Sequence, residues 1–377
     1  MIKLAQGHCG KEELDLIAEA LDYGYFGMAY NVPKFEEDIK AFLGTEYGVV
    51  CVNTCTSALH LALDAIGIDE GDEVILPSFT FVATVQAITA CRGTPVFCDI
   101  DETGCIDYKK IVAKVTPKTK AIMIVHYNGQ PVNDLDKIYD FGKKHGIRIV
   151  EDAAHAFGSY YKGKKIGSIG DIVCFSFDSI KVMTCGEGGA VVTKDEKVLE
   201  SIRYKRLLGM KRSAMADPNW KNRNQQYDVP TNGFRYHMSN INAAIGLAQI
   251  KKLEGFLKYR KELVHIYLEQ LKGNKNIEFF DYDYDHISNF MFPIKVKNGL
   301  RDELQEYLSK NDIEAKTSYV PIHYFTFYSK YDSHDLQNTE RIYEEVISIP
   351  LHTRLSKEQV MHVAEVINRF TDEKSKK

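Results

Sequence analysis

A surplus of positive charge is the first thing missing: 48 lysines and arginines face 52 aspartates and glutamates, for a formal net charge of −4. A nucleic-acid binder needs a basic face to neutralise phosphates, and at whole-chain level none is on offer, so no nucleic-acid partner is expected. Long apolar runs are missing too. The longest uncharged stretch, Val74 to Cys91, is interrupted by Pro77, Ser78, Thr80, Thr84, Gln86 and Thr89, which makes it a poor membrane span. The opening residues, "MIKLAQGHCGKEELDLIAEALDYG", lack the charged, apolar, small-residue order of a secretion signal, and their acidic residues argue against a transit peptide. A soluble, cytoplasmic protein is the expectation. CxxC pairs are absent among the eight cysteines, several of which lie in apolar runs such as "GVVCVN" and "IVCFSF". They read as buried reduced thiols, with no disulfide framework and no metal cluster.

What is present is length and alternation. A chain of 377 residues, 44% of them hydrophobic, can build two domains with sizeable cores. Between Val49 and about Gly189, "GVVCVN", "DEVILPSF", "TPVFCDI", "KAIMIVHY", "IRIVEDA" and "DIVCFSF" read as strands. The intervening "TSALHLALDAIG", "FVATVQAITACRG", "YKKIVAKV" and "NDLDKIYDFGKKHG" have apolar residues at three- and four-residue spacing and read as helices. The pattern predicts an α/β fold with a largely parallel sheet covered on both faces. A long helical pattern follows in "NINAAIGLAQIKKLEGFLKYRKELVHIYLEQLKG", and a smaller C-terminal α+β domain is expected from about Lys251 onward. Residues Met210 to Phe234, which hold the only tryptophan, Trp220, break the periodicity and read as a functional loop.

In such sheets ligands collect at the carboxyl ends of the strands. Asp152 ends one strand, and a carboxylate buried there needs a partner. It is either a helix cap or core ion-pair member, or the partner of a protonated heterocyclic nitrogen. Lys181 follows the next strand and reaches the same end of the sheet; it is either a solvated loop lysine or an amine whose burial lowers its pKa enough to form a Schiff base. "NTCTSALHLAL" opens a helix whose free N–H groups, with Thr54, Thr56 and Ser57, either are simply capped or form an anion site. Phe81, at another strand end, is a core residue or a surface for stacking a flat ring. Together, an anion site, an aromatic, a strand-end aspartate and a strand-end lysine meet the requirements of pyridoxal phosphate.

The ordered set "NTCTSALHLAL", "GDEVILPSFTFVAT", "KTKAIMIVHYNGQ", "EDAAHAFGSYYKGKKIGSIGD", "FSFDSIKVMTCGEGGAVVT", "MSNINAAIGLAQI", "VPIH" and "IPLH" resembles the DegT-type nucleotide-sugar aminotransferases across essentially the whole chain. The resemblance implies a pyridoxal-phosphate fold of the aspartate-aminotransferase type, fold type I, with a large domain over 1–250 and a small one over 251–377. It implies Lys181 as the Schiff-base lysine and proton carrier, Asp152 as the pyridine-nitrogen partner and His155 as the contact to the ring-side oxygen. By the same resemblance Phe81 stacks on the ring, Ser176 and the backbone at Cys55 and Thr56 hold the phosphate, and His323 lies near the nucleotide sugar.

Three departures stand out. Position 155 is often glutamine in the family, and histidine resembles members that aminate C-4 of a keto sugar. Asp178 replaces the usual histidine before the lysine. In "GFRYHMSN", Arg235 takes the place of an asparagine that reaches the phosphate from the neighbouring subunit, and His237 that of an arginine. The resemblance therefore implies a homodimer with shared active sites, taking an amino group from an amino-acid donor, L-glutamate, and giving it to a nucleotide-linked keto sugar, with pyridoxamine phosphate as the intermediate cofactor form. Amination at C-3 is the alternative. A related lyase branch has histidine in place of the lysine, which Lys181 argues against; a non-catalytic cofactor-binding regulator of the same fold has little use for an imine lysine.

Overall fold

The computed structural model describes residues 1–211 and 228–375. Seven strands form the central sheet: β1 (Gly48–Val52), β2 (Glu73–Pro77), β3 (Thr94–Cys98), β4 (Thr119–Val125), β5 (Arg148–Asp152), β6 (Ile172–Ser176) and β7 (Gly189–Thr193). Their spatial order is β1, β7, β6, β5, β4, β2, β3. Strands β2 to β6 pair in parallel, while β7 runs antiparallel to both β1 and β6.

The apolar strand runs are continuous because both faces are covered. Val49 and Cys51 of β1 share one core with Leu247 and Leu253 of the long helix; Val50 and Val52 share the other with Ala58, Leu59 and Ala62. Alternate residues thus feed opposite layers, as the two-residue period of a strand requires. Helices Cys55–Ala65 and Val82–Ala90 cover the second face, where Val85 and Ile88 are buried. The six strands expected from the sequence are present, and so are the four helices between them. The seventh, β7, is a short apolar run directly after a glycine cluster, and its antiparallel return was not anticipated.

Helix Asn240–Gln270 runs unbroken for 31 residues, through position 251. Beyond it β8 (Ile277–Phe279), β9 (Phe292–Val296) and β10 (Val346–Ile349) form an antiparallel sheet. The first residues of the chain pack here: Ile2 bridges Ile313, and the Leu351 N–H donates to the Leu4 carbonyl at 3.1 Å. All eight cysteines are free thiols, six of them buried, with Cys9 exposed and Cys55 half-buried. Among the described residues no helix is long and apolar enough to cross a membrane, and no cluster of three or more His, Cys, Asp or Glu is arranged to hold a metal. The interior of the expected loop, 212–227 with Trp220, lies outside the described residues.

Candidate active site

Strands β5 and β6 are adjacent and parallel, with Asp152 in register with Cys174, so their last residues, Asp152 and Ser176, both emerge at the carboxyl end of the sheet. A cavity of about 540 Å³ opens there. Cys55, Thr56, Phe81, Asp152, His155, Ser176 and Lys181, all seven of the strand-end candidates, line it. A larger hollow of about 740 Å³, beside Arg148 at the other end of β5, contains none of them.

Asp152 is 6% exposed. Its Oδ2 accepts from the Thr84 hydroxyl at 2.8 Å and its Oδ1 from the Ala154 N–H at 3.1 Å. Because Thr84 spends its proton on Asp152, the 2.8 Å contact between the Thr80 and Thr84 hydroxyls must have Thr80 as donor. Burial still outweighs these bonds and the nearby Lys181 and His126, so the carboxyl is pushed above its ordinary value. A cation against it would reverse that shift.

Lys181 sits on the turn that links β6 to β7. Asp178 builds the turn: its carbonyl accepts from the Lys181 N–H at 3.1 Å, its Oδ1 from the Ile180 N–H at 3.2 Å, and its own N–H donates to Ser176 Oγ at 3.4 Å. The aspartate that departs from the family pattern is therefore a local cap holding the lysine's backbone. The Lys181 ammonium lies 4.2 Å from the centroid of the Phe290 ring. Burial lowers its pKa, against the pull of Cys55, Asp152 and Asp178. Phe290 is fixed from behind by Arg260, whose buried Nη1 donates to the carbonyls of Asn289, Phe290 and Leu351 at 3.1 to 3.2 Å.

The anion cradle is the start of helix Cys55–Ala65. Thr54 is its N-cap, and its Oγ1 accepts from the Ser57 N–H at 3.0 Å. First-turn amides have no partner within the helix, and none is found for those of Cys55 and Thr56 among the described residues, which leaves them to a ligand at the cavity wall. Strand β7 touches this turn closely: a Cβ on Gly189 would lie 2.5 to 2.6 Å from Thr54 C and O and Cys55 N. Gly189→Ala is expected to push the helix start away and weaken pyridoxal phosphate binding about tenfold, measured by titrating apoprotein with the cofactor. Phe81 precedes helix Val82–Ala90 and is 57% exposed, its ring 6.1 Å from that of Tyr319. The core reading of Phe81 is thereby set aside.

His155 is buried against Phe290, with ring centroids 4.2 Å apart. Its Nδ1 accepts from the Asn128 N–H at 3.2 Å and its Nε2 lies 2.8 Å from the Tyr319 hydroxyl. Burial, helped by the Lys181 charge, holds its pKa well below the ordinary value, so the ring is neutral.

Arg235, His237 and His323 do not line the cavity. Arg235 is exposed and bridged to Leu207, and His237 pairs with Val52 at the end of the edge strand β1. His237 Nδ1 is buried without a hydrogen-bond partner among the described residues, and its pKa is lowered by burial and by Arg235 and Arg206. His323 is buried, its Nδ1 2.7 Å from Ser78 Oγ and its Nε2 3.4 Å from Glu340. Nδ1 ties the histidine's turn to the end of β2, and Nε2 faces a carboxylate on helix Gln337–Glu345, so both ring nitrogens are engaged. Sequence reasoning overlooked Thr84, Phe290 and Tyr319. Thr84 was visible, three residues after Phe81 on the first turn of a helix; the other two come from chain more than 100 residues beyond Lys181, and no local pattern announces them.

Two independent likenesses agree with this geometry. Residues 8–368 match the DegT/DnrJ/EryC1/StrS aminotransferase family. The chain is 37% identical to GDP-perosamine synthase of Escherichia coli O157:H7 over 97% of each chain, and 37% identical to the spore coat polysaccharide biosynthesis protein SpsC of Bacillus subtilis over 95% of this chain and 94% of that one. Among solved structures, Spr1654 of Streptococcus pneumoniae in its PMP form superposes with a TM-score of 0.92 at 28% identity, covering 99% of this chain and 100% of that one. Its PLP form gives 0.90. The chain belongs to the DegT/DnrJ/EryC1/StrS aminotransferase family. Its chemistry is that of a pyridoxal-phosphate-dependent sugar aminotransferase.

Proposed function

We propose that the protein moves the amino group of L-glutamate to the C-4 keto group of a nucleotide-linked deoxy sugar. The observation that carries the reading is the convergence on one cavity of a lysine amine with no hydrogen bond or ion pair among the described residues, a buried aspartate whose carboxyl is pushed up by burial, and a helix N-terminus. The similarity to a GDP-perosamine synthase supports a nucleotide sugar as acceptor. His155 supports C-4 over C-3, through its resemblance to members that aminate that carbon.

The residues present fit the cofactor. Asp152 would hold the pyridine N–H, which supplies the cation its buried carboxylate lacks. The Cys55 and Thr56 amides and Ser176 Oγ would hold the phosphate, Phe81 would cover the ring, and Lys181 Nζ would bond to the aldehyde carbon. When bound, pyridoxal phosphate supplies an electron sink for the charge left on a carbon that loses its proton. Lys181 is the group that removes and returns that proton. Its lowered pKa leaves more of the amine neutral near physiological pH, and Phe290 keeps water from one side of it. We place the boundary between the domains at 250/251, with Phe290 and Tyr319 of the small domain closing the cavity floored by the large one. The working unit is a homodimer in which Arg235 reaches the cofactor phosphate of the other subunit, where a guanidinium suits an anion.

The test is amination of a panel of 3-keto and 4-keto sugars on several nucleotide carriers, with glutamate as donor and products read by mass and NMR. An amine at C-4 supports the reading. Turnover of 3-keto sugars alone overturns the C-4 assignment, and a purified protein that neither binds pyridoxal phosphate nor turns over any member overturns the function.

A further inference from the structure

A backbone N–H can only donate, so the bond from Asn128 to His155 Nδ1 requires a lone pair on that nitrogen. A neutral imidazole has one proton, which therefore sits on Nε2. It points at the Tyr319 oxygen 2.8 Å away, so histidine donates and the phenol accepts. His155 then has no proton left for a ligand. Tyr319 does: burial keeps its phenol protonated, His155 is its one hydrogen-bond partner among the described residues, and it lines the cavity with Asp152 and Lys181. The two rings are almost parallel, 6° apart, and Phe290 stacks on the histidine, so the pair is held in one orientation.

We infer that the Tyr319 hydroxyl, rather than the His155 ring, donates to the oxygen that pyridoxal phosphate carries beside its aldehyde carbon, with His155 as the residue that positions it. This rests on the cofactor placement proposed above, and it reassigns the ring-side oxygen contact that the resemblance gave to His155. Other charged or titratable groups on the cavity wall are Cys55, Asp152, Asp178, Lys181, Glu187 and Lys316. All of them remain when Tyr319 is changed, so they form a constant background.

The experiment follows the visible absorption band of the substrate-free holoenzyme as pH is raised, which reports the protonation of the nitrogen joining Lys181 to the cofactor. A donor on the ring oxygen drains negative charge from beside that nitrogen. Tyr319→Phe, which deletes one atom, is therefore expected to raise the midpoint by about one pH unit. If His155 were the direct donor, losing Tyr319 would free its Nε2–H for the oxygen, and the midpoint would stay or fall; that result overturns the inference. Adding His155→Leu to Tyr319→Phe is expected to move the midpoint by less than about 0.3 unit, because a positioning residue has nothing left to position. An equal shift from His155→Leu in both backgrounds overturns the inference as well. A wild-type protein without the band counts against the proposed function, whereas a normal band with an unmoved Tyr319→Phe midpoint counts against this inference alone.

Discussion

Lys181→Ala is expected to lower transamination by about 10,000-fold while leaving the fold intact. The residue lies at the end of a turn whose middle, Ser179 and Ile180, is exposed and whose backbone is held by bonds to Asp178, so its side chain contributes little to folding. Its amine lies 4.2 Å from the centroid of the Phe290 ring, and no hydrogen bond or ion pair to the amine is found among the described residues. Truncation therefore removes the proton carrier and the covalent anchor together without opening a gap in either core. The variant is checked by steady-state amination, by the loss of the visible cofactor band, and by an unfolding midpoint equal to that of the wild-type apoprotein.

Asp152→Asn should separate function from stability. Activity is expected to fall on the order of 100-fold, since an amide cannot hold a proton on the pyridine nitrogen by charge. Stability of the apoprotein should move the other way. Burial raises the Asp152 carboxyl above its ordinary value, so the folded chain favours the protonated acid. The stability tied to that proton is present below the unfolded carboxylate pKa and is lost as pH rises through the raised folded value. At neutral pH the apoprotein carries a buried carboxylate at a cost, which the amide removes. The Asp152→Asn apoprotein should therefore melt at or above wild type at neutral pH, with the gap closing as pH falls through the carboxylate range. Loading the cofactor should restore the wild-type advantage.

The parts of the site legible in the sequence are those whose chemistry is local. Asp152, Ser176 and Lys181 follow apolar runs, and strand ends can be read from periodicity alone. The helix start at Thr54 is a capping signal written in consecutive residues. Asp178 stands out in the sequence as a departure from the family pattern, yet its place becomes plain once the turn is seen, because its side chain bonds a backbone N–H two residues on. Tyr319, Phe290 and Arg260 could not be read this way. Their roles depend on the chain after the central sheet returning to the cavity, and contacts of such sequence separation leave no periodic trace. The strand β7, as long as most of its neighbours, was missed because it follows glycines, which ordinarily mark a turn. Here Gly186 takes a positive φ of 77°, and Gly189 allows strand and helix to touch.

Borohydride reduction of the holoprotein, followed by peptide mass analysis, tests the central claim most directly. The cofactor is expected to be fixed to the peptide containing Lys181 and to no other lysine. Its recovery on a different lysine, or on none, would contradict the assignment of this cavity as the seat of the chemistry.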